Sequence, residues 1–344
     1  MDLLPKNQAL SKLNKSRNNQ TVFYYKSSWL RLILVAILIF VISFTTWLFV
    51  GHSKPNIDLS LAQNLSKATI LSSDLSGDQT HTKLFFEEKL FYQGVNQAKF
   101  ELKSTVNIES KPIKGGIVPH HLFPSFILSD FFQRLQIQNQ TNPIKQVVVI
   151  GPNHSENGNN WALSSLYSWS TPFGELRPNP SNIEILKSKQ LIQIDEKVLS
   201  LEHSIGGLAP YLKYYLPQAQ ITPIILKHKI NPIQLEKLSQ TIADMSQDSD
   251  TIVIASVDFS HYLPADQAKV RDTKTLEILK NYDFNQLLKL NDDYLDSPAT
   301  IATLLKTMQK LKTTDPTLLY HTNSGILEND FSGQTTSYIS IVFK

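Results

Sequence analysis

Apolar residues along this chain fall into one long uncharged block followed by short runs and helical stripes. The block, Leu32 to Val50 (LILVAILIFVISFTTWLFV), has 19 residues and no charge. A helix of that length covers roughly 28 Å, close to the hydrocarbon thickness of a bilayer. Trp29 and Trp47 stand near its ends, where interfacial aromatics are favoured. The pattern predicts an uncleaved transmembrane helix over residues 29–50. A cleaved secretory signal would have a shorter apolar region and a small-residue cleavage site, and VGHSKPN offers no clear one. Residues 51–80, rich in Ser, Asn, Asp and Gln, read as a polar linker.

The folded part is expected over residues 81–344. HTKLFFEEKLFYQGV (81–95) has apolar residues near helical spacing and starts it. Five short runs follow: GGIVP (115–119), VVVIG (147–151), ITPIIL (221–226), TIVIAS (251–256) and SYISIVF (337–343). Their apolar residues are consecutive instead of alternating, which suits strands covered on both faces. Between them, 232–245 places Leu235, Leu238 and Ile242 at helical spacing, and 299–312 does the same with Ile301, Leu304, Leu305, Met308 and Leu311. Alternating strands and helices predict an α/β fold, a single three-layer αβα sandwich around a mainly parallel central sheet.

Composition narrows the chemistry. The chain lacks cysteine, which removes disulfides, thiolate metal sites and thiol nucleophiles. Its net charge is only +3, and six basic residues (Lys6, Lys12, Lys15, Arg17, Lys26, Arg31) precede the apolar block against the single acid Asp2. That imbalance predicts a cytoplasmic tail over 1–28 and an extracytoplasmic main domain in the cell membrane. No basic cluster marks the rest, so nucleic acid is not an expected partner.

Several predicted elements begin or end on groups able to bind metal or move protons. GGIVPHH closes on His120 and His121, VVVIGPNH on His154, and TIVIASVDFSH on Asp258 and His261. EHSIGG places Glu202 and His203 at what reads as a helix entrance. In open α/β sheets the loops beyond the strand carboxyl ends converge on a ligand crevice, so these imidazoles are expected to share a site. Imidazoles with a carboxylate suit Zn²⁺, Fe²⁺ or Cu²⁺. His121 is expected outside the site, because neighbouring side chains diverge. The chain has no G-x-S-x-G elbow, phosphate-binding loop or H-E-x-x-H helix.

With STPFGEL (170–176) and GQTTSYISIVF (333–343), these segments occur in the order seen in the Memo-like family, whose bacterial and archaeal members include AmmeMemoRadiSam system protein B. The resemblance spans about Gly115 to Phe343. It implies a fold related to class III extradiol dioxygenases, whose nonhaem iron lies at the same strand edge. It also implies metal ligands at His120 and His154, with His203 lining the pocket. The family's small A-G pair and Tyr are replaced here by His121, Leu122 and Phe123. The third ligand, a cysteine in some members, falls near Asp296, which serves equally well as a helix-starting residue in DSPAT.

On this reading His120, His154 and Asp296 hold a divalent metal, Fe²⁺ first and Zn²⁺ or Cu²⁺ next. His203 acts as acid or base oriented by Glu202, and Asp258 with His261 forms a further proton-transfer pair or braces the sheet edge. The expected function is a membrane-anchored, dioxygenase-like oxidoreductase acting on an unidentified small molecule or peptide. A binding domain without turnover and a zinc hydrolase are the alternatives.

Overall fold

The structure, a computed structural model, describes residues 79–82, 85–105 and 111–344. The expected tail (1–28), membrane helix (29–50) and nearly all of the linker (51–80) lie outside the described residues. Among the described residues no helix is long and apolar enough to cross a membrane.

Twelve strands occur among the described residues: β1 Thr80–His81, β2 Gly115–Val118, β3 Gln146–Pro152, β4 Ala162–Ser164, β5 Ser168–Thr171, β6 Gly174–Leu176, β7 Gln193–Ile194, β8 Gln220–Leu226, β9 Thr251–Ser256, β10 His261–Leu263, β11 Pro316–Asn323 and β12 Thr335–Phe343. Nine form one sheet in the order β10-β12-β2-β9-β3-β8-β4-β7, with β11 paired to β12, and β1, β5 and β6 form a small separate sheet. The fold is mixed α/β. Within the nine-stranded sheet, parallel pairing is confined to β2–β9, β9–β3 and β3–β8 at the centre and β4–β7 at one end. The β4–β8, β2–β12, β12–β11 and β12–β10 pairs are antiparallel, so the expectation of a mainly parallel sheet holds only at the centre. The reason is connection length. β11 returns as β12 after one short helix, Ser324–Glu328, too little chain for a parallel crossover.

Consecutive apolar runs mean two covered faces. Val148, Ile150, Val253 and Ala255 pack into one core with Leu235, Leu238, Leu304 and Leu305. Val147, Val149, Ile252 and Ile254 pack into the other with Phe91, Leu128, Phe131 and Tyr211. Each side chain so buried stabilises the fold by about 1.5–3 kcal/mol. The helices start where local chemistry dictates. Asn179, Asn231 and Ser297 each accept a backbone N–H and are followed by proline at the first helical position. Asn231 and Gln234 complete a capping box.

Candidate metal centre

The register of β2 against β9 builds the first half of the site. Val118 pairs with Ser256, so His120 and Asp258, each two residues further on, emerge side by side. The His120 N–H donates to Asp258 Oδ1 (3.2 Å), and His120 Nε2 lies 3.6 Å from Asp258 Oδ2. Ser256 Oγ donates to Ser204 O (2.6 Å), so it accepts from the Nδ1–H of His120 (3.4 Å). This leaves the lone pair of His120 on Nε2. Burial holds the ring neutral, lowering its pKa to about 3, although Asp296 opposes that shift.

β3 supplies the second half. Beyond Pro152 the chain turns, and both N–H groups of His154 meet Glu202: the backbone N–H donates to Oε2 (2.9 Å) and Nδ1–H to Oε1 (2.7 Å). Glu202 also caps the short helix His203–Gly206 by accepting the Ser204 N–H at 2.9 Å. Because Glu202 accepts at Nδ1, a neutral His154 presents its lone pair from Nε2, 3.7 Å from Asp296 Oδ2. Burial would lower the His154 pKa, but the Asp296 carboxylate 3.7 Å away and the hydrogen bond to Glu202 outweigh it and raise it to about 10. Burial likewise favours the neutral Glu202 acid, yet His154 and two backbone N–H groups hold its pKa at about 2.

Asp296 connects the halves. Its Oδ2 accepts the Asp258 N–H (3.2 Å) and lies 3.3 Å from His120 Nε2. Its Oδ1 is buried without a hydrogen-bond partner. Ser297, not Asp296, caps the helix Pro298–Lys310, accepting the Thr300 N–H. Asp296 is therefore free of the helix-starting duty its sequence position allowed. A partnerless carboxylate oxygen beside the His120 lone pair is costly unless a cation completes it, and a metal ion there would take the place of the proton that His154 holds on Nε2.

The donor atoms form two overlapping groups, His120–His154–His203 and His120–Asp258–Asp296. The His203 ring stacks on His154 at 4.1 Å and stands edge-on to His120 at 5.0 Å. Burial and the neighbouring His154 lower its pKa. Its Nδ1 is 3.6 Å from Glu202 Oε1, so Glu202 holds His154 more closely than His203. Burial raises the Asp258 pKa, against the opposing pull of His261 and His121. Among the described residues no hydrogen bond joins Asp258 to His261. His261 instead lines a cleft with His154 and Asp296, its buried Nδ1 unpartnered. His121 turns away and pairs through Nδ1 with the Tyr338 hydroxyl (2.7 Å).

The structure thus brings the expected residues His120, His154, Asp296, His203, Glu202 and Asp258 together, with His261 at the cleft. It adds that His203 and Asp258 belong to the ligand-capable groups. For Asp258 the signal was present in the chain: it follows its strand by the same two residues as His120. Nitrogen and oxygen donors with tautomers fixed by Glu202 and Ser256 fit a divalent metal ion.

A family model described as Memo-like protein matches residues 90–342. A MEMO1 family protein of Caldivirga maquilingensis is 27% identical over 278 residues, covering 74% of this chain and 96% of that one. One from Sulfolobus acidocaldarius is 28% identical over 236 residues, covering 66% and 81%. Another from Metallosphaera sedula is 26% identical over 203 residues, covering 56% and 69%.

Proposed function

The chain belongs to the Memo-like family, and from that premise we propose that His120, His154 and Asp296 bind one divalent metal ion, with His203 and Asp258 beside it. The observation that carries this reading is Asp296 Oδ1, a buried oxygen without a partner on the carboxylate whose other oxygen faces both imidazoles. The same premise carries the finer architecture, an αβα sandwich related to class III extradiol dioxygenases.

Two imidazoles and a carboxylate with positions to spare suit Fe²⁺, and the proposed activity is a nonhaem-iron oxidation of a small molecule or peptide in which dioxygen is the oxidant. The bound ion would supply Lewis acidity and, as iron, a redox couple. The protein's own groups do the rest. Glu202 fixes the His154 tautomer, and burial keeps His120 a neutral donor. His203, with about two fifths of its side chain exposed, lines a second cleft on the other side of His154 together with Glu202, and is placed to accept or donate a proton there. The apolar block at Leu32–Val50, preceded by basic residues, supports a cytoplasmic N-terminus and a membrane tether for this domain.

Metal analysis of the full-length chain, purified without a histidine tag, tests the reading beside a His120→Ala/His154→Ala variant. About one ion per chain, lost in the variant, is expected. Zinc in place of iron would move the same site to hydrolysis. A wild-type chain that takes up no metal after reconstitution would leave a binding domain.

A further inference from the structure

The Asp296 side of the centre opens into a cleft of about 610 Å³, within the usual range for a small-molecule site. Four carboxylate residues line it, Glu156, Asp292, Asp293 and Asp296, and no lysine or arginine does. Glu156 is committed to the His228 N–H at 2.6 Å. Asp292 and Asp293 form no ion pair among the described residues. Their placement is set by the chain: the Asp292 carbonyl accepts the His261 N–H (3.1 Å), holding this loop against β10.

Acidic residues on a surface are common and mean little alone. Here they surround a deeper feature. The Asp296 side chain is only 8% exposed, and its Oδ1 has no partner. His261 adds a second buried, unpartnered atom, Nδ1, on the same wall. Tyr262 is 67% exposed and adds an aromatic ring to the lining of the cleft. Like charges in a concave wall reinforce one another and concentrate cations from solution. Even with a divalent ion held at Asp296, the four carboxylates leave the cleft net negative, so an anionic ligand would have to enter against that field beside Asp292 and Asp293. An organic cation would be drawn in by the carboxylates and accepted by the tyrosine ring. The cleft on the other side of His154 differs, since Lys197 lines it with Asp195 and Glu202.

The geometry points to a small ammonium-bearing molecule as the ligand of the Asp292–Asp293–Tyr262 cleft, its charged end at the two aspartates and its other end toward His154 and Asp296. As an assignment of substrate class this rests on the metal centre proposed above.

Choline and its neutral isostere 3,3-dimethylbutan-1-ol separate charge from shape, and the quaternary nitrogen cannot ligate a metal. Calorimetric titration of the full-length, metal-loaded chain is expected to show choline binding at least tenfold more tightly. That preference should fall to about twofold or less in Asp292→Asn/Asp293→Asn, with metal content unchanged. Tyr262→Leu should reduce it as well. Equal binding of the two probes, or a preference that survives the double variant, would overturn the inference and leave the metal centre standing. A chain that takes up no metal yet prefers choline through Asp292 and Asp293 would overturn the proposed function and leave the cleft's ligand class supported.

Discussion

Asp296 and Ser297 show how much one residue of register matters. In DSPAT either side chain can begin a helix by sequence alone, and the structure gives that task to Ser297 Oγ. The two positions should therefore separate by experiment. Asp296→Asn is expected to weaken metal binding at least tenfold. Ser297→Ala should leave metal stoichiometry intact and cost about 1 kcal/mol of stability. Equilibrium dialysis and chemical denaturation read the two effects. Glu202 offers a test with pH. In the metal-free chain the His154 pKa is raised to about 10, so its contribution to stability is complete below its ordinary value of 6.5 and is lost as pH rises toward 10. The Glu202 pKa is depressed to about 2, so its contribution is complete above 4.5 and is lost as pH falls toward 2. Both are whole between pH 4.5 and 6.5. Glu202→Gln should cost most in that window, on the order of 2 kcal/mol, and less at pH 9–10. A penalty flat with pH would show that the His154–Glu202 pair does not titrate as placed. At this scale the sequence singled out residues that the structure gathers in one place, but not their pairing. The residue Glu202 holds most closely is 48 positions away, and nothing local announces that.

Elements whose register rests on local chemistry were legible in the sequence. The helix Pro232–Met245 is bounded by its capping box and runs as its apolar spacing predicts, and β9 matches TIVIAS residue for residue. The direction of a strand is less legible, because apolar content is the same either way round. β12 reads as a buried run, yet it lies antiparallel to β2 because of how β11 delivers it. β11 itself (PTLLYHTN) is largely exposed at its start and lacks a continuous apolar signal. The strand ends, in contrast, transmit directly to the site. Gly151 near the end of β3 is packed so closely that an added Cβ would meet Ser204 Oγ at 2.5 Å and Ser204 Cβ at 2.8 Å. Ser204 donates to Pro152 O (3.0 Å) and follows Glu202 and His203. Gly151→Ala must therefore push the helix His203–Gly206 away from β3, a strain of about 1–3 kcal/mol. The displacement should also loosen Glu202 from His154. The expected outcome is a lower melting temperature together with roughly 10–100-fold weaker metal binding, the usual effect of disturbing a ligand's support. Loss of stability with unchanged metal affinity would show that the strand end and the helix are not coupled.

For the whole molecule, the sequence reading puts the start of the folded body at residue 81. A short strand crosses that point, beginning one residue earlier. β1 pairs in parallel with β5, Thr80 with Ser168 and His81 with Trp169. His81 is buried, with its Nε2 2.7 Å from Ser165 Oγ and its ring 4.4 Å from that of Trp169. Ser165 in turn donates to Glu196, whose other oxygen accepts the Leu166 N–H (2.8 Å). A two-residue strand has little stability of its own, so these contacts are what keep it in place. They also bear on the tether proposed for residues 29–50, since any linker from the membrane must arrive at β1. Two truncations separate the roles. A chain starting at residue 77 keeps β1 and should match the full-length chain in metal content and in the melting temperature of its folded domain. A chain starting at residue 85 loses a buried imidazole, its aromatic packing and a hydrogen bond, and should be less stable by about 1–3 kcal/mol. Its metal content should nonetheless persist, because no ligand-capable residue of the centre lies before His120. Both truncations remove the apolar block, so both should leave the membrane fraction on cell fractionation while the full-length chain stays in it. Recovery of the full-length chain in the soluble fraction would remove the tether and leave the metal centre untouched. Equal stability of the two truncations would move the start of the folded domain past β1.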